Sequence, residues 1–169
     1  MLRLLELFWL IARRKLGPED VPSSRFLLKL TVCAYMVLQV PLLWRQGGIT
    51  PAAGVSILAD VVIVFLFVWV LLWVTGNVSR YQQTMIAFFG TGFLVTLLAL
   101  PITYFYLSID KGNELLVLPF LALIGILIWS IIINAHIFSR AISRSLFEGV
   151  AIALLYFIIN FQLLEAIPK

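Results

Sequence analysis

Apolar positions in this chain fall into long runs, and the polar residues collect between the runs. The clearest run follows Asp60, where every residue from Val61 to Val74 is apolar. Runs of about 20 apolar residues match the ~30 Å hydrocarbon core of a bilayer. The pattern therefore predicts five membrane spans, near residues 26–44, 52–75, 80–106, 114–138 and 146–164. Residues 1–24 precede them as an amphipathic segment and hinge, and 25–169 form one transmembrane domain. The expected fold class is all-α, a polytopic helical bundle of five transmembrane helices preceded by an amphipathic interfacial helix. An odd span number and the lack of a clear internal repeat argue against inverted halves.

Local signals place the ends of these elements. Ser23 or Ser24 is expected to cap the first span, and Thr50 with Pro51 to open the second. Gly76 closes that span. Ser79 with Gln82, and Ser145 with Glu148, have the spacing of capping boxes for the third and fifth spans. Pro101 is expected to kink or end the regular third helix, whereas Pro119 falls where the first turns of the fourth tolerate it. "RQGGITP" and "SIDKGN" read as tight connections.

The opening stretch, "MLRLLELFWLIARRKLG", is too short to span, and Arg3 and Glu6 interrupt it. A secretory signal would lead with its charges and end in small residues, which this stretch does not. Its leucines and Trp9 suit the lipid interface, with Arg13, Arg14 and Lys15 near head groups. The alternative is a helix packed against the bundle itself.

Composition agrees with the pattern. Hydrophobic residues make up 63% of the 169 and charged residues only 12%, too few to cover a water-facing surface. A net charge of +4 would suggest nucleic acid in a soluble protein, but here it reports orientation. With the N-terminus cytoplasmic, that side holds Arg3, Arg13, Arg14, Lys15, Arg25, Lys29, Arg80, Arg140 and Arg144. The far side holds Arg45, Lys111 and Lys169, so the expectation is N-terminus in and C-terminus out. Cys33 is the only cysteine and says nothing of redox compartment.

Asp60 leads the candidate chemistry. If the second span uses Val55 to Val74, Asp60 lies ~7 Å to the outer side of the midplane at 1.5 Å per residue. A central carboxylate costs on the order of 2.5–3.5 kcal/mol by insertion scales, so it needs a reason to stay. No basic residue sits at matching depth; Gln39, Thr103, Tyr104 and Asn160 do, and they offer hydrogen bonds without charge. Asp60, Gln39, Tyr104 and Asn160 thus form the candidate intramembrane polar site. The opposing reading starts the span late and leaves Asp60 near the outer interface.

A second polar cluster gathers at the cytoplasmic end. His136 and Arg140 share a helix face, and Arg144 and Glu148 follow across the turn. Together with Arg13, Arg14, Lys15 and Lys29, the bases His136, Arg140 and Arg144 are candidate contacts for anionic lipid or a protein partner. For His136 the plain reading is a satisfied polar residue near head groups. One His and one Cys cannot build a metal site from soft ligands, the acids are scattered, and no phosphate loop appears. No metal, cofactor, catalytic residue or nucleic-acid partner is expected. Ser145, Gly149 and Ala153, and Thr84, Ala87, Gly90 and Thr91, are small-residue faces for close packing within the bundle or between copies.

The order of parts resembles the Yip family of membrane proteins, in which a cytoplasmic N-terminal segment leads into five closely spaced spans. The local likeness lies in "QQTMIAFFGTGFLVTLLALP", where Gln83-Thr84, Gly90 and Pro101 look like that family's third-span region; Gly17-Pro18 is a fainter echo. The eukaryotic members' longer hydrophilic N-terminus and aromatic-rich motif are missing, so the compact form looks bacterial and implies an inner membrane. The resemblance implies a non-enzymatic factor in membrane organisation or trafficking, an adaptor or assembly factor acting through a membrane-protein partner, a second copy, or lipid. A small oligomeric transporter or channel, with Asp60 as a proton- or cation-responsive group, is the alternative.

Overall fold

The structure, a computed structural model, describes residues 2–46, 50–110 and 113–166. The connections expected through 47–49 and 111–112, and the cations Lys111 and Lys169, fall outside the described residues. The fold is all-α. Its helices are α1 (Leu2–Ala12), α2 (Arg25–Gln46), α3 (Pro51–Val74), α4 (Tyr81–Ser108), α5 (Val117–Ala141) and α6 (Leu146–Glu165). Four of these, α3 to α6, are long and apolar enough to cross a membrane, which agrees with an integral membrane protein.

Helix ends follow local chemistry. Thr50 Oγ1 accepts from the Ala53 N–H at 3.1 Å, with Pro51 opening α3. Ser145 and Glu148 form the expected reciprocal box at the start of α6. The Ser79–Gln82 box does not form, because a 3₁₀ turn over Val78–Arg80 leads into α4 and moves the N-cap to Arg80. Pro101 lies inside α4, which runs on to Ser108. Proline removes one backbone donor there, a loss that a long helix packed among others tolerates.

Three helix ends share one motif. Arg14, Gly76 and Ser143 have positive φ, at 59°, 72° and 55°. The next residue closes each end, with the N–H groups of Lys15, Asn77 and Arg144 donating to the carbonyls of Leu10, Leu72 and Ser139. These ends of α1, α3 and α5 lie with the starts of α2, α4 and α6 at one end of the bundle, the basic end.

α4 occupies the centre and packs on α1, α2, α3 and α5; residues Thr84 to Thr91 are buried without a break. α3 turns Val61, Val64, Val68 and Leu72 inward at helical spacing and leaves Leu58, Val62, Leu66, Trp69 and Trp73 exposed. Thr84, Ala87, Gly90 and Thr91 of one small-residue face, and Gly149 and Ala153 of the other, are buried inside the chain, whereas Ser145 is exposed. A Cβ on Gly149 would collide with the Ala135 carbonyl, so α5 and α6 approach closely there. A Cβ on Gly90 would enter the ring of Phe8. α1 thus seats Phe8, Ile11 and Ala12 on the bundle and keeps Leu5 and Trp9 exposed, with Trp9 edge-on to Trp129 of α5 at 6.1 Å. The contacts of α1 include packing on the bundle, the second of the two placements expected for it.

Candidate polar site at the centre of the bundle

Asp60 is the tenth of the 24 residues of α3, ~4 Å from the middle of the helix at 1.5 Å per residue. Two helices supply its hydrogen bonds. Tyr35 of α2 donates from its hydroxyl to Oδ2 at 2.9 Å, and Asn160 of α6 donates from Nδ2 to Oδ1 at 2.7 Å. Asn160 Nδ2 also donates to the Tyr156 hydroxyl at 2.7 Å. Asp60 therefore joins α2, α3 and α6 through one carboxyl group, and both its oxygens act as acceptors.

Aromatic packing fixes the tyrosines. Tyr156 lies against Phe67, Phe88 and Phe138, with ring centroids 5.2, 5.4 and 6.1 Å away. Tyr35 packs on Phe89 at 5.3 Å. Each ring is an apolar body with a polar tip, so packing among phenylalanines leaves the hydroxyl to meet the polar cluster, Asp60 for Tyr35 and Asn160 for Tyr156. Beside this cluster is a cavity of about 330 Å³ between α4, α5 and α6, with Tyr35, Asp60, Tyr156 and Asn160 in its wall. Phe88, Val95, Leu127 and Phe161 line it too, and Thr91, Thr96, Ser130 and Asn134 add neutral polar groups to the wall.

Of the expected site residues, Asp60 and Asn160 are in direct contact. Gln39 stands one turn beyond Tyr35 on the same helix, half-buried. Tyr104 does not join them, because its hydroxyl donates to the Pro41 carbonyl at 2.8 Å. The expected depth of Tyr104 does not hold: the part of α4 that lines the cavity beside Asp60 ends at Thr96, ~12 Å before Tyr104 at 1.5 Å per residue. Tyr35 and Tyr156 are the members that sequence reasoning missed. A signal was present: Tyr35 precedes Gln39, and Tyr156 precedes Asn160, by four residues, so each flanking helix carries a tyrosine and an amide on one face.

The basic end is a second constellation. His136 Nε2 bonds the Leu16 carbonyl at 2.8 Å, and since a carbonyl only accepts, Nε2 is the donor. Gln83 Nε2 donates to the Val21 carbonyl at 2.8 Å, and Arg140 pairs with Glu19. Together these bonds fasten the stretch from Leu16 to Val21 to α4 and α5. Arg80 Nη1 donates to the Arg140 carbonyl at 2.9 Å and to Ser143 Oγ at 2.8 Å, closing the end of α5. Arg144 lies 3.6 Å from Glu148. A cavity of about 440 Å³ opens among Glu19, Arg80, Ser139, Arg140, Ser143 and Arg144. Arg13, Arg14, Lys15 and Lys29 are exposed. His136 and Arg140 hold the N-terminal segment, a role the pattern alone did not show.

Among the described residues, no group of three or more His, Cys, Asp or Glu could hold a metal ion. No family model, curated protein or solved structure matches the chain.

Proposed function

We propose that this is a non-enzymatic membrane adaptor or assembly factor of five spans, with α2 as the first, in a bacterial inner membrane. Its N-terminus is cytoplasmic, its C-terminus lies on the far side, and its working surface is the basic end. One observation carries the reading: Arg13, Arg14 and Lys15 project from a turn whose continuation is fastened by His136, Gln83 and Arg140. A fixed, exposed basic turn offers a docking surface for an acidic protein face or for anionic head groups at low ordering cost. α1 supports the same reading, because Leu5 and Trp9 remain free for lipid while its other face is packed. The order of parts shared with the Yip family agrees with a factor that acts through partners.

The test is the mass and composition of the complex extracted gently from its native membrane. A stoichiometric, different protein beside the chain supports the adaptor; a homo-oligomer with nothing else bound counts against it. Replacing Arg13, Arg14 and Lys15 with glutamine is expected to release the partner or bound anionic lipid. Asp60→Asn is expected to leave that association in place.

The central site favours a second reading. A carboxyl group near the middle of the bundle, beside a cavity, suits a small oligomeric transporter or channel with Asp60 as its proton- or cation-responsive group. That reading predicts ion-dependent flux in liposomes, abolished by Asp60→Asn.

A further inference from the structure

Asp60 is the only charged residue among those lining the central cavity. Among the described residues it takes part in neither ion pair; those join Glu19 to Arg140 and Glu148 to Arg144. Tyr35 and Asn160 satisfy hydrogen-bonding capacity, but neither brings a positive charge. A half-buried carboxyl group among apolar helices is best complemented by a positive partner as well as by hydrogen bonds. A lipid chain would fill the volume and offer the carboxyl group no partner.

The surrounding wall narrows the chemistry of the counter-ion. Rings of Tyr35, Tyr156, Phe88 and Phe161 line the cavity, and aromatic faces attract organic cations. Val95 and Leu127 extend it as apolar surface. At about 330 Å³ the space falls at the small end of ligand cavities.

We infer that the cavity binds a lipophilic organic cation, its charge against Asp60 and its apolar body along Phe88, Val95 and Phe161. The inference rests on the reading of Asp60 as a cation-responsive group, and it names the class of ligand.

The experiment is thermal unfolding of the full chain in an uncharged detergent, with benzyltrimethylammonium as probe. Neopentylbenzene, its neutral carbon isostere, is the control. The cation is expected to raise the melting temperature saturably, by about 3–6 °C at roughly ten times its Kd. The neutral isostere is expected to leave it unchanged. Asp60→Asn should abolish the rise, and Leu127→Trp, which narrows the cavity without touching the hydrogen bonds, should abolish it too. Tyr104→Phe, outside the site, should keep it. An equal rise with neopentylbenzene overturns the proposal, as does no rise in the wild type or an undiminished rise in Leu127→Trp. If Asp60→Asn does not fold, the isostere pair and Leu127→Trp decide. Binding without flux in liposomes supports the site and overturns transport alone. Flux that continues without binding of the probe overturns the site and leaves transport standing.

Discussion

At the scale of single residues, Asp60 gathers donors from two helices, so its partners should not behave independently. Tyr35→Phe removes the hydroxyl that reaches Oδ2, and Asn160→Leu removes the amide that reaches Oδ1 and Tyr156. Each is expected to cost about 0.6–2 kcal/mol, the range for hydrogen bonds between membrane helices. Groups in one network couple, so either change should cost less on an Asp60→Ala background than on the wild type. Thermal unfolding of the four variants of one cycle measures this; strict additivity would dissolve the network. Asp60 itself was legible in the sequence because a lone acid inside an apolar run is expensive. Asn160 followed from depth. Height read from span ends is good only to a turn or two, which is why Tyr104 was drawn in from beyond the site, and why Tyr35 and Tyr156, one turn from the chosen amides on the same faces, were not.

Among the helices, the two closest approaches differ in what a methyl group would meet. At Gly149 the obstacle is the Ala135 backbone carbonyl, which cannot move without α5. At Gly90 it is the ring of Phe8 on the short α1, which can yield. Gly149→Ala is therefore expected to destabilise by about 1–3 kcal/mol through overpacking, and more than Gly90→Ala. Gly90→Ala should act mainly on α1, seen as faster maleimide labelling of a cysteine probe at buried Ala12 (Ala12→Cys), with Phe8 intact, on a Cys33→Ala background. Equal losses of stability, with labelling unchanged, would contradict this assignment. The small-residue spacing that marks Gly149 and Gly90 could be read from the sequence, whereas the partner of each could not. α3 shows the limit more sharply. After Asp60 it is apolar on every side, so nothing in its composition distinguished the inward stripe of Val61, Val64, Val68 and Leu72 from the outward tryptophans.

For the whole molecule, the number of crossings decides where each loop lies. If α2 spans, Ser23 and Thr50 lie on opposite sides of the membrane; both are exposed and flank the helix. Single cysteines at these positions, on a Cys33→Ala background, are expected to react with an impermeant maleimide from opposite sides, Ser23→Cys from the cytoplasm. Labelling of both from one side would reduce the bundle to the four crossings of α3 to α6 and reverse the expected side of the C-terminus. The four long apolar helices were legible from sequence because bilayer thickness acts on composition. The attachment of the N-terminal segment was not, since it depends on three separate side chains meeting backbone or charge far along the chain: His136, Gln83 and Arg140.

The turn after α1 has one more consequence. Arg14 adopts the same left-handed backbone that glycine provides after α3, and an L-residue there carries a penalty of ~1–2 kcal/mol that glycine escapes. Arg14→Gly is thus expected to raise the melting temperature while removing one charge from the exposed basic turn. Stability and retention of partner or anionic lipid should then move in opposite directions in a single variant. A position where folding alone would choose glycine, and where the proposed docking calls for the guanidinium, separates the demands of folding from those of recognition.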